Sequence, residues 1–248
     1  ASNAQQAQLP IQTLVIDPGH GVKDPWAVGT KKNYEKDIAL KVSILLKDTL
    51  EAYYQQMNVV LTRSTDKFIP LHERGQIAQD AKGDFFISIH CNAMRQKDRH
   101  GAETYVLGIN KGQESYETVI KENEAMTFEE DHEELYGGFA PNSPEGMIFF
   151  QVLKDVFRNE SLQLATLLQQ NYKEKLGRVD RGVKQAHIVV LYLSGMPAVL
   201  TEIGFISNSK EEAYLITEEG QKEIAVSIFD AIKTYQESFQ QPQIRGKW

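Results

Sequence analysis

The sequence predicts a single α/β domain: a mostly parallel, twisted sheet of about six strands with helices on both faces, plus a helical insertion. Three observations carry this. Apolar runs such as Leu14-Val15-Ile16 and Phe85-Phe86-Ile87 stop in turn or polar residues, as buried strands do. Segments with apolar residues at i, i+3 and i+4 alternate with them, the pattern of strand–helix–strand units joined by right-handed parallel crossovers. Three of the runs end in reactive side chains, His20, His90 and Glu202, and open α/β sheets bind ligands outside the carboxyl ends of their strands.

At 248 residues the chain suits one domain of this type with a full core. Hydrophobic residues make up 41% and charged ones 25%, and no apolar run approaches the roughly 18 residues of a membrane span. Formal net charge is −7 without a long Lys/Arg cluster to neutralise phosphates, which argues against nucleic acid as a partner. Cys91 is the single cysteine; it excludes an intramolecular disulfide and reads as a small buried residue. Residues 1–10 read as an appended scar and linker, 11–238 as the catalytic domain, and the polar stretch 239–248 as a disordered tail.

The first strand ends at Asp17-Pro18-Gly19-His20 and leads into a Gly-rich loop over 21–29. Asn33 is the expected N-cap of a helix starting at Tyr34-Glu35, with Ile38, Val42, Leu45, Leu46 and Leu50 on its buried face. A strand over 58–62, a helix after Pro70, the strand ending at His90 and a strand over 102–107 follow. Residues 113–135 read as an acidic helix with a poor core face. After a loop over 137–143, Ser143 and Pro144 serve as N-cap and first residue of a long or broken helix. Ile148, Val152, Val156, Leu164, Leu167 and Leu168 form its apolar stripe, and Gly177 ends it. Strands over 188–191 and 198–201 and one closing helix, from Glu211 or Tyr214 to about Tyr235, complete the domain.

Two histidines and one glutamate are a standard zinc set in hydrolytic sites, which keep a further position open for water. His20, Glu35 and His90 supply that set. A zinc ion bound there would lower the pKa of its water to about 7 and polarise a carbonyl oxygen. Glu202, on a separate strand, is placed to take the water's proton and return it to a leaving amine. Taken singly, each residue has an ordinary reading: a packed histidine, a first-turn glutamate complementing a helix dipole, a loop carboxylate.

The motifs together decide the matter. Val15-Ile16-Asp17-Pro18-Gly19-His20-Gly21, Leu61-Thr62-Arg63 with Phe68-Ile69-Pro70-Leu71 and Arg74, Ser88-Ile89-His90-Cys91-Asn92-Ala93, Arg181-Gly182-Val183-Lys184-Gln185-Ala186 and Glu202-Ile203-Gly204-Phe205-Ile206-Ser207-Asn208 run through residues 11–235. In these the sequence resembles the zinc-dependent N-acetylmuramoyl-L-alanine amidases of bacterial cell-wall turnover. The resemblance implies that His20, Glu35 and His90 take the zinc-ligand positions and Glu202 that of the catalytic carboxylate. It also implies cleavage of the amide between the lactyl group of N-acetylmuramic acid and L-alanine of the stem peptide. Peptidoglycan or a muropeptide is then the substrate, and the location is the periplasm or the exterior.

Trp26 stands where the family's loop has a small residue, and His187 where no histidine is expected. His187 is a candidate for lining the substrate cleft and Arg74 for meeting a substrate carboxylate, the alternatives being a packed or solvent-facing histidine and a structural ion pair. His72, His100 and His132 read as surface residues. Residues 108–158 resemble the insertion that some of these amidases carry over the active site, where a glutamate fills the open zinc position until an activator protein displaces the insertion. Glu122 is the first candidate for that glutamate and Glu124 the second; the alternative is a solvated acidic helix. Competing functions are a zinc peptidase acting on free peptides and a non-catalytic peptidoglycan-binding protein, the latter disfavoured because all four chemical positions are filled.

Overall fold

The computed structural model describes residues 10–22, 27–108, 113–128 and 144–239. Strand β1 (Thr13–Pro18) is covered on both faces, with Leu14 and Ile16 in one apolar layer and Val15 in the other. Its neighbours β2 (Asn58–Leu61) and β3 (Phe85–Asn92) both run parallel to it. β6 (Ala198–Phe205) lies parallel beside β3, β4 (Ala102–Leu107) antiparallel beside β6, and β5 (Asp180–Ala186) parallel to β4. The order β2-β1-β3-β6-β4-β5 makes a mostly parallel sheet.

Helices α1 (Glu35–Tyr53), α4 (Pro144–Glu174) and α7 (Glu218–Ser238) pack on one face through residues such as Val42, Leu164 and Ile228. On the other lie α2 (Leu71–Asp80), α3 (Gln113–Glu124) and α5 (Val189–Ser194), whose Ala78, Val119 and Val190 meet Phe86 and Tyr105 of the sheet. A short α6 (Ser209–Leu215) follows β6. Among the described residues no helix is long and apolar enough to cross a membrane.

The structure corrects several sequence expectations. Residues 189–194 form α5, not a strand; a short apolar run has no readable period, and Gly195 closes the helix at a left-handed φ of 69°. The last strand pair is completed instead by β5, whose polar, half-buried residues at the sheet edge carry no apolar signal. α1 is entered through Tyr34 without a side-chain cap, because the Asn33 amide donates to Glu212 Oε1 at 2.9 Å. The closing helix is two, since the Thr217 hydroxyl accepts the Gly220 N–H at 3.0 Å and starts α7 afresh.

α4 is one unbroken helix of 31 residues, yet Val152 and Val156 are more than half exposed or nearly so, at 50% and 58%; its packing on the sheet comes from the later residues Leu164, Ala165, Leu168 and Tyr172. The acidic helix ends at Glu124, runs into a 3₁₀ turn over Ala125–Phe128, and buries more than expected: Thr118, Val119, Glu122 and Ala125. The expectations for residues 1–9, Trp26, His132, the 137–143 loop with Ser143, and 240–248 lie outside the described residues.

Candidate active site

The pleat of β3 sends Ser88 and His90 to the same face as Phe86, the face covered by α2, α3 and α5. β1 delivers His20 beside them through a turn that has to be narrow. A Cβ on Gly19 would lie 2.5 Å from the His90 ring, so only glycine lets the imidazole occupy that place. His20 itself has φ 60°, a left-handed conformation unusual outside glycine. The turn is pinned from below by two buried guanidinium groups. Arg74 donates to the carbonyls of Ile69, Pro18 and His20 and to Asp17 Oδ1, all within 2.7–2.8 Å. Arg63 donates to the Pro18 and Gly19 carbonyls and to that of Lys36 in α1, tying the His20 turn to the helix that carries Glu35.

Glu35 lies between the two imidazoles. Its Oε2 is 3.3 Å from His20 Nε2 and its Oε1 3.2 Å from His90 Nδ1, while Oε1 also accepts the Cys91 N–H at 2.7 Å. A fourth group enters from α3: Glu122 Oε2 is 2.9 Å from His90 Nδ1 and 3.9 Å from His20 Nε2. Two ligands bound to one zinc at about 2.1 Å in a tetrahedron sit about 3.4 Å apart. The Glu35 oxygens stand 3.3 and 3.2 Å from the two imidazole nitrogens, close to that value, and the three donors lie within 4.8 Å of one another, so His20, Glu35 and His90 fit zinc in number, type and separation.

The far side of His90 fixes which nitrogen faces this cluster. The Ser88 hydroxyl donates to Asp17 Oδ2 at 2.7 Å, and its oxygen stands 3.1 Å from His90 Nε2. A hydroxyl has one hydrogen, so toward the ring Ser88 acts as acceptor, Nε2 carries a proton, and Nδ1 is the nitrogen turned toward the cluster. Asp17 is held in turn by Thr62 and Arg74, at 2.6 and 2.7 Å. This is the carboxylate-supported histidine of metal sites, with a hydroxyl interposed.

Glu202 completes the constellation from β6, in register with His90 on one side and Glu103 on the other. It is fully buried, and neither carboxylate oxygen has a hydrogen-bond partner among the described residues. Burial and the neighbouring carboxylates Glu122 and Glu35 push its pKa well above the ordinary range. The opposite holds for Glu35: burial raises it, but the imidazoles of His20 and His90 outweigh burial and leave it below the usual value. Burial lowers His90 while Glu122 and Glu35 carry it well above a free histidine.

The remaining candidates separate. Arg74 is 2% exposed with its donors on Asp17 and backbone carbonyls, the structural ion pair of its two readings. His187 is half-buried in the turn after β5, and its carbonyl accepts from Asn123 of α3 at 3.0 Å. Glu122 is buried and Glu124 less so. Burial pushes the Cys91 thiol up, which leaves it inert at neutral pH.

Sequence reasoning missed the supporting residues. Ser88 and Asp17 give no signal until the strands are paired. Glu103, 1% exposed, gathers Lys184 and Arg181 at 2.6 and 3.0 Å and accepts from Asn92 and Tyr105, a hub visible only once β4, β5 and β6 are adjacent.

A family model described as N-acetylmuramoyl-L-alanine amidase matches residues 14–234. AmiC, an N-acetylmuramoyl-L-alanine amidase of Escherichia coli O6:H1, is 32% identical over 228 residues, covering 90% of this chain and 52% of that protein. The chain spans about half the length of the first curated relatives it matches. The crystal structure of N-acetylmuramoyl-L-alanine amidase from Clostridium difficile 630 has a TM-score of 0.68 at 26% identity, covering 91% of this chain and 97% of that one. The CwlD amidase from Clostridioides difficile, solved in complex with the GerS lipoprotein, has a TM-score of 0.66 at 25% identity, covering 92% and 99%. With a family model matched from β1 into α7 and the same fold in solved amidases, the chain belongs to the N-acetylmuramoyl-L-alanine amidase family.

Proposed function

We propose that the chain is a zinc-dependent amidase acting on peptidoglycan or its fragments outside the cytoplasm, in the periplasm or secreted. It hydrolyses the amide between the lactyl group of N-acetylmuramic acid and L-alanine of the stem peptide. The observation that carries this reading is the buried, unpartnered Glu202 carboxylate in register with His90, beside the converging donors of His20, Glu35 and His90. Those three would hold zinc, which when bound supplies a Lewis acid and a water with a pKa near 7. Glu202, with both oxygens free, takes a proton from the attacking water and delivers it to the departing amine nitrogen. Ser88 and Asp17 keep the His90 ring in one tautomer and orientation.

The closeness of Glu122 to both histidines supports a gated form of this enzyme. A carboxylate is a good fourth zinc ligand, and a closed tetrahedral shell leaves no place for water. α3 is fastened over the site by the Lys121 ammonium on the Ala93 carbonyl, by the Asn123 amide and by Thr118, so opening needs a partner that binds the open form more tightly. The CwlD–GerS complex is a precedent in a relative for binding by a second protein. Muropeptide digestion followed by mass spectrometry tests the function. Whole stem peptides released from the sugar support it; shortened stems still on the sugar contradict it and indicate a peptidase.

A further inference from the structure

Next to Glu122, Asn123 makes a two-point contact that, besides fastening α3, satisfies a backbone pair outside it. Its side-chain N–H donates to the His187 carbonyl at 3.0 Å, and its side-chain oxygen accepts the Val189 N–H at 3.0 Å. A primary carboxamide presents an N–H and a C=O on one side, as a single residue of an extended strand does. A carbonyl and an N–H two residues apart, flanking Ile188, are the pair that an extended strand offers to one residue of a neighbouring strand, as in the binding of peptides along exposed backbone. Glu122 and Asn123 are consecutive, with Cα atoms ~3.8 Å apart. One carboxylate therefore lies at the metal donors while the adjacent carboxamide satisfies a backbone pair beside them.

We propose that the His187 carbonyl and the Val189 N–H form a subsite for the backbone of the substrate's stem peptide, which Asn123 fills in the closed form as a mimic of the N–H and C=O of one extended residue. This rests on the amidase reading above and adds to it where the peptide lies. The stem runs from the scissile amide at the metal donors along the turn between β5 and α5, under the place of α3. A backbone subsite recognises any extended peptide of the right register, whatever its side chains. His187, which departs from the family's pattern, then acts through its main chain.

Proline at position 189 tests this, because it deletes the N–H and little else. Val189 is the first residue of α5, a position proline tolerates, and Ile188 before it is extended at φ −93°, ψ 121°, the conformation a residue preceding proline favours. Val189→Ala controls for loss of the buried side chain while keeping the N–H. The full chain is loaded with zinc and carries Glu122→Ala and Asn123→Ala so that α3 presents neither group. KM and kcat are then measured for an N-acetylmuramoyl pentapeptide and for N-acetylmuramoyl-L-alanine. The expected result is a KM for the pentapeptide substrate about threefold to tenfold higher in Val189→Pro than in Val189→Ala, with the short substrate unaffected by the difference. Equal KM values in the two variants on both substrates overturn the subsite while leaving the amidase reading intact. A parallel measurement covers a Val189→Pro chain that does not fold, or a chain that cuts neither substrate, which would sink the amidase reading itself. In the ¹⁵N-labelled Glu122→Ala/Asn123→Ala chain, a synthetic stem peptide beginning with L-alanine shifts the Val189 amide resonance if the subsite exists. An unmoved Val189 amide at saturating peptide overturns it.

Discussion

Glu122 Oε2 lies 2.9 Å from His90 Nδ1, the nitrogen that the Ser88 contact at Nε2 leaves facing Glu35 and His20. The contact joins two parts of the chain with different roles, a strand end that belongs to the chemistry and a helix laid over it. Under the proposed gating, the strength of that contact sets how much of the protein is competent at any moment.

Ser88→Ala removes the acceptor for the His90 Nε2 proton and frees the ring to rotate. Zinc affinity, measured by competition with a chromophoric chelator, is expected to fall by roughly 10–100-fold, the usual cost of losing a ligand's supporting hydrogen bond. The unfolding free energy should fall as well, by about 1–3 kcal/mol, because Asp17 and His90 each lose a buried partner, so affinity is measured where both chains are folded. Unchanged affinity would mean that the Asp17–Ser88–His90 chain has no part in holding the metal.

Glu202→Gln keeps the shape of the side chain and removes its capacity to accept a proton. Zinc content is expected to match the unsubstituted protein, with hydrolysis reduced on the order of 10²–10⁴-fold. Near-normal turnover would place the base elsewhere.

Glu103 gives a prediction about pH and stability. Burial raises its carboxyl, but Lys184, then Tyr105 and Arg181, outweigh burial and hold the folded pKa below that of a free glutamate. A group depressed in the folded state stabilises fully above its unfolded pKa and loses that contribution as pH falls through the folded value. Glu103→Gln should therefore cost ~2–3 kcal/mol in denaturant unfolding at pH 7, where it leaves two cations without their carboxylate. The gap to the unsubstituted protein should narrow as pH drops below about 4.5. A gap that widens with acid contradicts the assignment.

The residues proposed for the chemistry could be picked out of the sequence because each sits at a punctuation mark. His20 follows the Pro-Gly turn of an apolar run, His90 and Glu202 stand near the ends of buried strands, and Glu35 starts a periodic helix. β5 and α5 were not legible. Asp180–Ala186 is a polar edge strand defined by its partner β4, and the apolar run after Ile188 is too short to show whether it is strand or helix. The supporting hydrogen bonds were hidden for a similar reason. Arg63, Arg74, Ser88 and Asp17 are far apart in sequence and meet only through strand pairing. The anchoring of α3 was underestimated from its many acidic residues, since the few that face inward, Thr118, Val119, Glu122 and Ala125, all fall on one side.

The most direct measurement is the rate at which the zinc-loaded 248-residue chain frees the stem peptide from a defined N-acetylmuramoyl peptide, with and without Glu122→Ala. With Glu122 as the fourth ligand of the zinc-loaded site, its removal opens that position to water and should raise turnover by at least about tenfold, a shift of about 1.4 kcal/mol in the closed–open balance. The product should be a peptide with L-alanine at its amino terminus. If the unsubstituted chain is already as fast as Glu122→Ala, α3 does not gate the site, and if neither releases the stem, the assignment of His20, Glu35, His90 and Glu202 as an amidase centre is wrong.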